Sequence, residues 1–277
     1  MLIRCWGARG SISVSGKEYL KYGGDTTCIE IRTKDDRIVI INAGSGIRRL
    51  GNRLLNEKRL EIAMLFTHAH WDHIMSIPFF KPIYQREARI TIYGCPFSQE
   101  SVRGMISRVM APTNFPVSYD DIMAEITYQE SCSEAFTIGG MRVTPIPISH
   151  PNRVIGYRLE EEGKSFVFLT DNELFHQHPG GMEFEDYRSF AKGADLLIHD
   201  AEYRPEDYPQ TKTWGHSVFT DALRLALAAG VSRFGLFHHN QDRTDEGVDE
   251  MVDECRKIAA GRSLECFAVQ QDMEIIL

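Results

Sequence analysis

Short apolar runs recur along this chain, and each one stops abruptly at a Gly, Asp or His. EIAMLF (61–66) breaks into THAH, and KSFVFL (164–169) breaks into TDNE. ADLLIHDAEY (194–203) ends its run near Asp200, and RFGLFHHN (233–240) ends in His238 and His239. Runs this short, bounded by polar residues, predict buried strands. DRIVIINAGSG (36–46) predicts a strand entering a glycine-rich turn, and MRVTPIPISHP (141–151) alternates before reaching His150. Between these runs the period changes. IRRLGNRLLNE places Ile47, Leu50, Leu54 and Leu55 at helical spacing. HSVFTDALRLALAAG (216–230) and GVDEMVDECRKIAAG (247–261) also predict helices, the latter with Gly261 as its stop. Near the N-terminus, YGGDTTCIEIRTKDDRIVIINAG (22–44) predicts a hairpin. Mixed sheets with helices packed outside them fit this pattern better than a purely parallel doubly wound fold. The fold class is therefore α/β, and the residues capable of chemistry stand where strands end, in loops that a sheet can gather at one edge.

Composition changes this picture little. Hydrophobic residues at 43% and charged residues at 25% are values of an ordinary globular chain, and 277 residues suffice for a large core. No linker, repeat or low-complexity tract offers a boundary, so residues 1–277 are expected to form a single domain. Charge is more decisive. A net charge of -8 argues against a partner made of long nucleic acid, whose phosphates demand a basic face. The main basic cluster, Arg48, Arg49 and Arg53, fits a solvated helix face. A small anion remains open, because a metal centre supplies its own positive charge. Cys5, Cys28, Cys95, Cys132, Cys255 and Cys266 are scattered without CxxC pairing, which predicts incidental thiols in a reducing compartment. No leader-like segment and no apolar run of membrane-spanning length is visible, so the expected location is cytoplasmic, with no membrane partner.

The chemistry concentrates in FTHAHWDH (66–73), which puts His68, His70, Asp72 and His73 directly after an apolar strand. Four such groups at the edge of a core resist burial unless something satisfies them, and a cation can satisfy all four. Residues two apart in an extended segment face the same way, so His68 and His70 can address one ion. Asp72 and His73 follow as the chain turns, and address a second. The strand-end residues His150, Asp171 and His238 supply what is missing. The expected arrangement is His68, His70 and His150 on one metal, Asp72, His73 and His238 on the other, with Asp171 bridging. His239 remains an alternative to its neighbour His238. Imidazole with carboxylate suits Zn, and less selectively Mn or Fe.

The order of THAHWDH, SHP, LTD and LFHH resembles the metallo-β-lactamase superfamily, and the resemblance extends over essentially the whole chain. It implies an αβ/βα four-layer sandwich, with two divalent metal ions between the edges of two mixed β-sheets and helices on the outer faces. LLIHDAEY and WGHSVFTDALRLALAAGVSRFGLFHH narrow the similarity to the ribonuclease Z-like and small phosphodiesterase branch. Carried over, His216 matches the histidine of a GHS loop, and Asp200 the acidic residue that orients it. By its residues alone, the GHS turn reads as a helix cap through Ser217, with an incidental histidine. Two departures stand out. Asn42 occupies a place where the family usually has Asp, and the twenty residues between His150 and Asp171 leave no room for the tRNA-gripping arm common in ribonuclease Z.

The resemblance implies a metal-dependent hydrolase, and within it a phosphodiesterase for a small phosphodiester, cyclic ones included. Two cations acidify a water towards neutrality and neutralise phosphoryl oxygens. Asp72 is expected to orient or deprotonate that water, and His216, steadied by Asp200, to protonate the leaving alkoxide. A lactone, thioester or β-lactam substrate is the alternative within hydrolysis, and a non-catalytic metal or ligand sensor the alternative outside it. Related proteins include homodimers, though no interface is legible here. Three other features receive smaller roles. Gly23, Gly24 and Asp25 read as a turn opening the hairpin. Pro78, Phe79, Phe80, Pro82 and Tyr84 read as core or substrate wall. His176 and His178 read as surface loop or mobile rim.

Overall fold

The computed structural model describes residues 1–95, 101–130 and 134–277. Its first sheet comprises β1 (Leu2–Gly7), β2 (Cys28–Arg32), β3 (Ile38–Ile41), β4 (Glu61–Leu65), β5 (Arg89–Gly94) and β6 (Glu125–Glu130), and is closed at one edge by a late strand, β14 (Glu274–Ile276). The second comprises β7 (Phe136–Ile138), β8 (Met141–Ile148), β9 (Val154–Glu161), β10 (Lys164–Leu169), β11 (Leu196–Asp200), β12 (Arg233–Phe237) and β13 (Glu265–Ala268). The orders are β14-β1-β2-β3-β4-β5-β6 and β13-β12-β11-β10-β9-β8-β7. Each is mixed. Strands β3 to β6 run parallel while β14, β1, β2 and β3 pair antiparallel. In the other sheet β10 to β13 run parallel while β7 to β10 pair antiparallel.

Side-chain alternation builds the layers. Along β10, Phe166 and Phe168 enter a core shared with Val39, Ile41 and Leu65 of the first sheet. Val167 and Leu169, on the opposite pleat, pack with Phe219, Leu223 and Val248 of the helices outside the second sheet. Period two thus assigns one face of β10 to the sheet interface and the other to helices. Those helices are α4 (Phe184–Ala191), α6 (Phe219–Ala229) and α7 (Asp245–Ile258), while α1 (Ile47–Asn56) and α3 (Val102–Val109) pack on the first sheet. Two single turns, α2 (Trp71–Ile74) and α5 (Tyr208–Thr211), lie beside the strand ends. The result is the αβ/βα sandwich implied by the resemblance.

Boundaries shift where local chemistry competes. α6 begins at Phe219, because His216 and Ser217 are held by partners outside the helix, and Gly230 ends it in the left-handed conformation at φ 66°. α7 starts at Asp245 on a Thr244 cap and ends before Gly261. The Gly23–Asp25 segment precedes the hairpin and braces Arg9, whose Nε donates to the Gly23 carbonyl. Phe80, Pro78 and Pro82 are core, while Phe79 is exposed. Cys5, Cys28, Cys255 and Cys266 are free and buried. Cys95, however, is disulfide-bonded, contrary to the expectation of free thiols, and Cys132 lies outside the described residues. Among the described residues no helix is long and apolar enough to cross a membrane.

Candidate metal centre

The strand ends of both sheets meet in one place. His68 and His70 leave β4, His150 follows β8, Asp171 follows β10, Asp200 ends β11 and His238 follows β12. Asp72 and His73 stand on α2, a single turn that reverses the chain so that the two side chains come back towards the strand ends. Backbone conformation aims several of these residues. Asn42, Asp171 and His238 all have positive φ, at 62°, 54° and 59°. A left-handed residue without glycine costs on the order of 1 kcal/mol, so three at strand ends mark backbone held by its surroundings.

Two sets of donors result. Ligand atoms of His68, His70, His150 and Asp171 all lie within 4.8 Å of one another, as do those of Asp72, His73, Asp171 and His238. Asp171 belongs to both. Its Oδ1 is 3.3 Å from His73 Nε2, and its Oδ2 is 3.5 Å from His68 Nε2 and 3.4 Å from His238 Nε2. Asp72 Oδ2 lies 3.0 Å from His73 Nε2 and 3.1 Å from His238 Nε2, and accepts the Ser11 amide at 3.0 Å. His239 turns away and donates Nε2–H to the Val269 carbonyl at 2.7 Å, whereas His238 faces the donor set.

Whether a cation suits these residues can be read from what lacks a partner. His68 Nε2 and His73 Nε2 are buried, face the centre and make no well-directed hydrogen bond, although carboxylate oxygens stand 3.5 and 3.0 Å away. Leaving such an atom unsatisfied costs about 1–3 kcal/mol, and a cation would remove that cost for both. The far nitrogens of other rings are already engaged. His150 donates Nδ1–H to the Gly215 carbonyl at 2.9 Å, and His238 donates Nδ1–H to Glu202 Oε2 at 2.9 Å. A carbonyl can only accept, so the inward Nε2 of the neutral His150 ring is left with its lone pair, whereas His238 meets carboxylates through both nitrogens and would give up its Nε2 proton to a cation. The two rings also sit in cradles that tolerate no side chain. A Cβ at Gly215 would lie 2.0 Å from His150 Nδ1, and one at Gly10 would lie 2.3 Å from His238 Nδ1. Five imidazoles and two carboxylates, converging in two sets that share Asp171, fit a pair of divalent cations.

The electrostatics divide the histidines. Burial pushes His68 well below its ordinary pKa and takes His150 down to about 3. His73 is equally buried, yet Asp171 and Asp72 outweigh that burial and hold it up at about 9. The same carboxylates, with Glu202, lift His238. Asp72 and Asp171 fall well below the carboxylate range, because the facing histidines overcome their desolvation.

Asp200, His216 and His238 form a third group against the second donor set. His216 donates Nδ1–H to Asp200 Oδ2 at 2.6 Å, and its ring stacks on His238 with centroids 4.7 Å apart. Burial lowers its pKa, but Glu202 and Asp200 outweigh that and raise it to about 9. Ser217 does not cap α6. Its hydroxyl donates to the Asn172 carbonyl at 2.6 Å, tying the loop to the residue after Asp171. Outside His216 opens a cleft of about 460 Å³ bordered by Ser11, Tyr203, Trp214, Gln241 and Arg243.

Sequence reasoning missed Glu202 and Glu173. Glu202 is 3% exposed; besides binding His238 it accepts from Asn240 Nδ2 at 2.9 Å. Its signal was an acidic residue two beyond Asp200, just past the end of β11. Glu173 binds His178 Nε2 at 2.8 Å, so His178 is buried and structural rather than part of a surface rim; His176 is half-buried. Asn42 accepts the Thr67 amide at 2.9 Å through Oδ1, and its Nδ2 lies 2.8 Å from His73 Nδ1.

Known proteins agree with this architecture. Residues 37–239 match the family model described as the Beta-lactamase superfamily domain. Ribonuclease BN of Escherichia coli O6:K15:H31 (strain 536 / UPEC) is 23% identical over 264 residues, covering 79% of this chain and 84% of the relative. The metallo-beta-lactamase fold protein YhfI from Bacillus subtilis superposes with a TM-score of 0.73 at 16% identity, over 99% of this chain and 98% of that one. A diphosphatase from the PhnP family superposes with a TM-score of 0.70 at 17% identity, over 100% and 97%. The chain belongs to the β-lactamase superfamily, and it is a metal-dependent hydrolase.

Proposed function

We propose that this hydrolase is a dinuclear phosphodiesterase acting on a small phosphodiester, cyclic ones included. The observation that carries the reading is the His216–Asp200 pair set against His238, a proton donor beside the donor set that would hold the second cation. The first cation would be held by His68, His70 and His150 and the second by Asp72, His73 and His238, with Asp171 available to both. Zinc suits these donors best, with manganese or iron as substitutes. Bound there, the two ions supply an acidified water and positive charge for the phosphoryl oxygens.

The chain's own groups do the rest. Asp72, fixed by the Ser11 amide, orients the attacking water and takes its proton. His216, its Nδ1 anchored on Asp200, delivers a proton from Nε2 to the departing alkoxide. Asp200 is a positioning residue: it keeps the ring in the tautomer and orientation that transfer requires. A small substrate is favoured over a long one. The interval between His150 and Asp171 is occupied by β9 and β10, joined at Glu162 and Gly163, so it holds no arm for gripping RNA. The net charge of -8 points the same way. On this reading residues 1–277 act as one catalytic domain in the cytoplasm, with both sheets supplying groups to one centre.

The test is turnover of bis(p-nitrophenyl) phosphate, a homoserine lactone and an acyl thioester by Zn²⁺- or Mn²⁺-loaded protein, with Asp72→Ala as control. Metal-dependent phosphodiester cleavage that disappears in the variant supports the reading. Cleavage confined to the lactone or thioester replaces it with acyl chemistry.

A further inference from the structure

We infer that Glu173 is the positioning residue of the His216 loop: its carboxylate, bound to the backbone on both sides of Trp214, holds His216 against the centre and turns the Gly215 carbonyl onto His150. The inference rests on the reading of His216 as proton donor. Glu173 is 1% exposed and both of its oxygens are doubly engaged. Oε1 accepts from the Tyr208 hydroxyl at 2.7 Å and the Thr213 amide at 2.8 Å. Oε2 accepts from His178 Nε2 at 2.8 Å and the Gly215 amide at 2.9 Å.

The loop needs such an anchor. Thr213, a β-branched residue, lies at φ 78°, a conformation that persists only when the surroundings impose it, and Gly215 beside it takes φ 96°, which glycine adopts freely. Trp214 between them is 61% exposed, so burial of its side chain does not hold the segment down. What the loop delivers is specific: the Gly215 carbonyl fixes the tautomer of His150, and the next residue is His216. Four converging N–H and O–H groups require an acceptor at every position, which an ionised carboxylate offers and an amide does not.

Placement along the chain shows the same economy. Asp171, Asn172 and Glu173 are consecutive after β10. Asp171 reaches both donor sets. Asn172 Oδ1 accepts the amide of Ser149, the residue before His150, at 3.0 Å, and the Asn172 carbonyl receives Ser217. Glu173 secures the residues before His216. One tripeptide therefore sets the shared ligand, the neighbour of His150 and the proton-donor loop in a common frame.

The experiment compares metal-loaded wild type with Glu173→Gln, His216→Ala and the double variant. It measures zinc content, hydrogen exchange at the Thr213 and Gly215 amides, and turnover of bis(p-nitrophenyl) phosphate and adenosine 2′,3′-cyclic phosphate. We expect Glu173→Gln to keep its zinc and to exchange those two amides at least about tenfold faster, the signature of a loop released from its anchor. Turnover of the cyclic substrate, which has an alkoxide leaving group, should fall at least about thirtyfold, and that of the aryl ester by less than about threefold. In the double variant the Gln change should add nothing to His216→Ala, because both act through one group. Equal losses on the two substrates, or losses that multiply with His216→Ala, would reduce Glu173 to a structural residue. Unchanged exchange at Thr213 and Gly215 would overturn the clamp itself. If His216→Ala fails to separate the two substrates, the proton-donor reading falls, and the exchange measurement still decides whether Glu173 holds the loop. Tyr208→Phe, which removes one donor and leaves the carboxylate in place, repeats the exchange test should the Gln variant not fold.

Discussion

Replacing Glu202 by Gln should weaken one metal site and spare the other. Glu202 Oε2 accepts the Nδ1–H of His238 at 2.9 Å, and Oε1 accepts Asn240 Nδ2 at 2.9 Å. Glutamine has the same length but only one acceptor oxygen. If that oxygen keeps His238, the new NH₂ meets the NH₂ of Asn240; if it keeps Asn240, the NH₂ meets the His238 N–H. Either way a buried donor loses its partner, and the negative charge that makes His238 a stronger ligand disappears. A hydrogen bond to a charged group contributes about 1.5–3 kcal/mol. Loss of a carboxylate behind a ligating histidine typically lowers metal affinity about 10–100-fold. His68, His70 and His150 have no contact with Glu202, so the first site should stay within about threefold of wild type. A competition titration against a chromophoric chelator, with the two binding steps resolved, measures both. Equal weakening of the two steps, or no change in either, would refute the claim that Glu202 acts through His238.

Three further outcomes are expected. His216→Ala should slow alkyl phosphodiesters by about 10²–10⁴-fold and activated aryl esters far less, judged from a leaving-group series at fixed pH. Asn42→Asp should tighten the Asp72, His73 and His238 site by about tenfold, since a carboxylate against His73 Nδ1 accepts its proton where the present amide nitrogen does not; chelator competition reads this directly. The pH dependence has a definite sign. His73 is raised to about 9 by Asp171 and Asp72, against an ordinary value of 6.5. In chelator-treated protein its contribution to stability is complete below about pH 6.5 and is lost as the pH rises towards 9, so Tm should fall across that window. Metal loading at neutral pH must displace that proton, and calorimetry in buffers of different ionisation enthalpy should register its release.

The strand ends were legible because burial and charge conflict there in the sequence itself. An apolar run such as EIAMLF followed by His68, His70, Asp72 and His73 admits few structures, and the same logic reached His150 and Asp171. The choice of His238 over His239 was not legible. It depends on a positive φ at His238 and on the Val269 carbonyl that captures its neighbour, both consequences of long-range packing. Glu202, Glu173 and His178 escaped for a related reason. Glu202 and Glu173 look like ordinary surface residues until the fold brings a donor to each across 36 and 42 residues of chain, and His178 follows Glu173, its partner five residues before it. Helix starts moved where a side chain had a better partner than the helix, as at Ser217.

The most direct test is the zinc content of purified, zinc-dialysed protein by plasma mass spectrometry, alongside Asp171→Ala. Shared use of Asp171 predicts about two ions per wild-type chain, with both affinities reduced in the variant. One ion per chain, or an Asp171→Ala protein that loads two ions as tightly as wild type, would contradict the dinuclear centre on which the proposed chemistry rests.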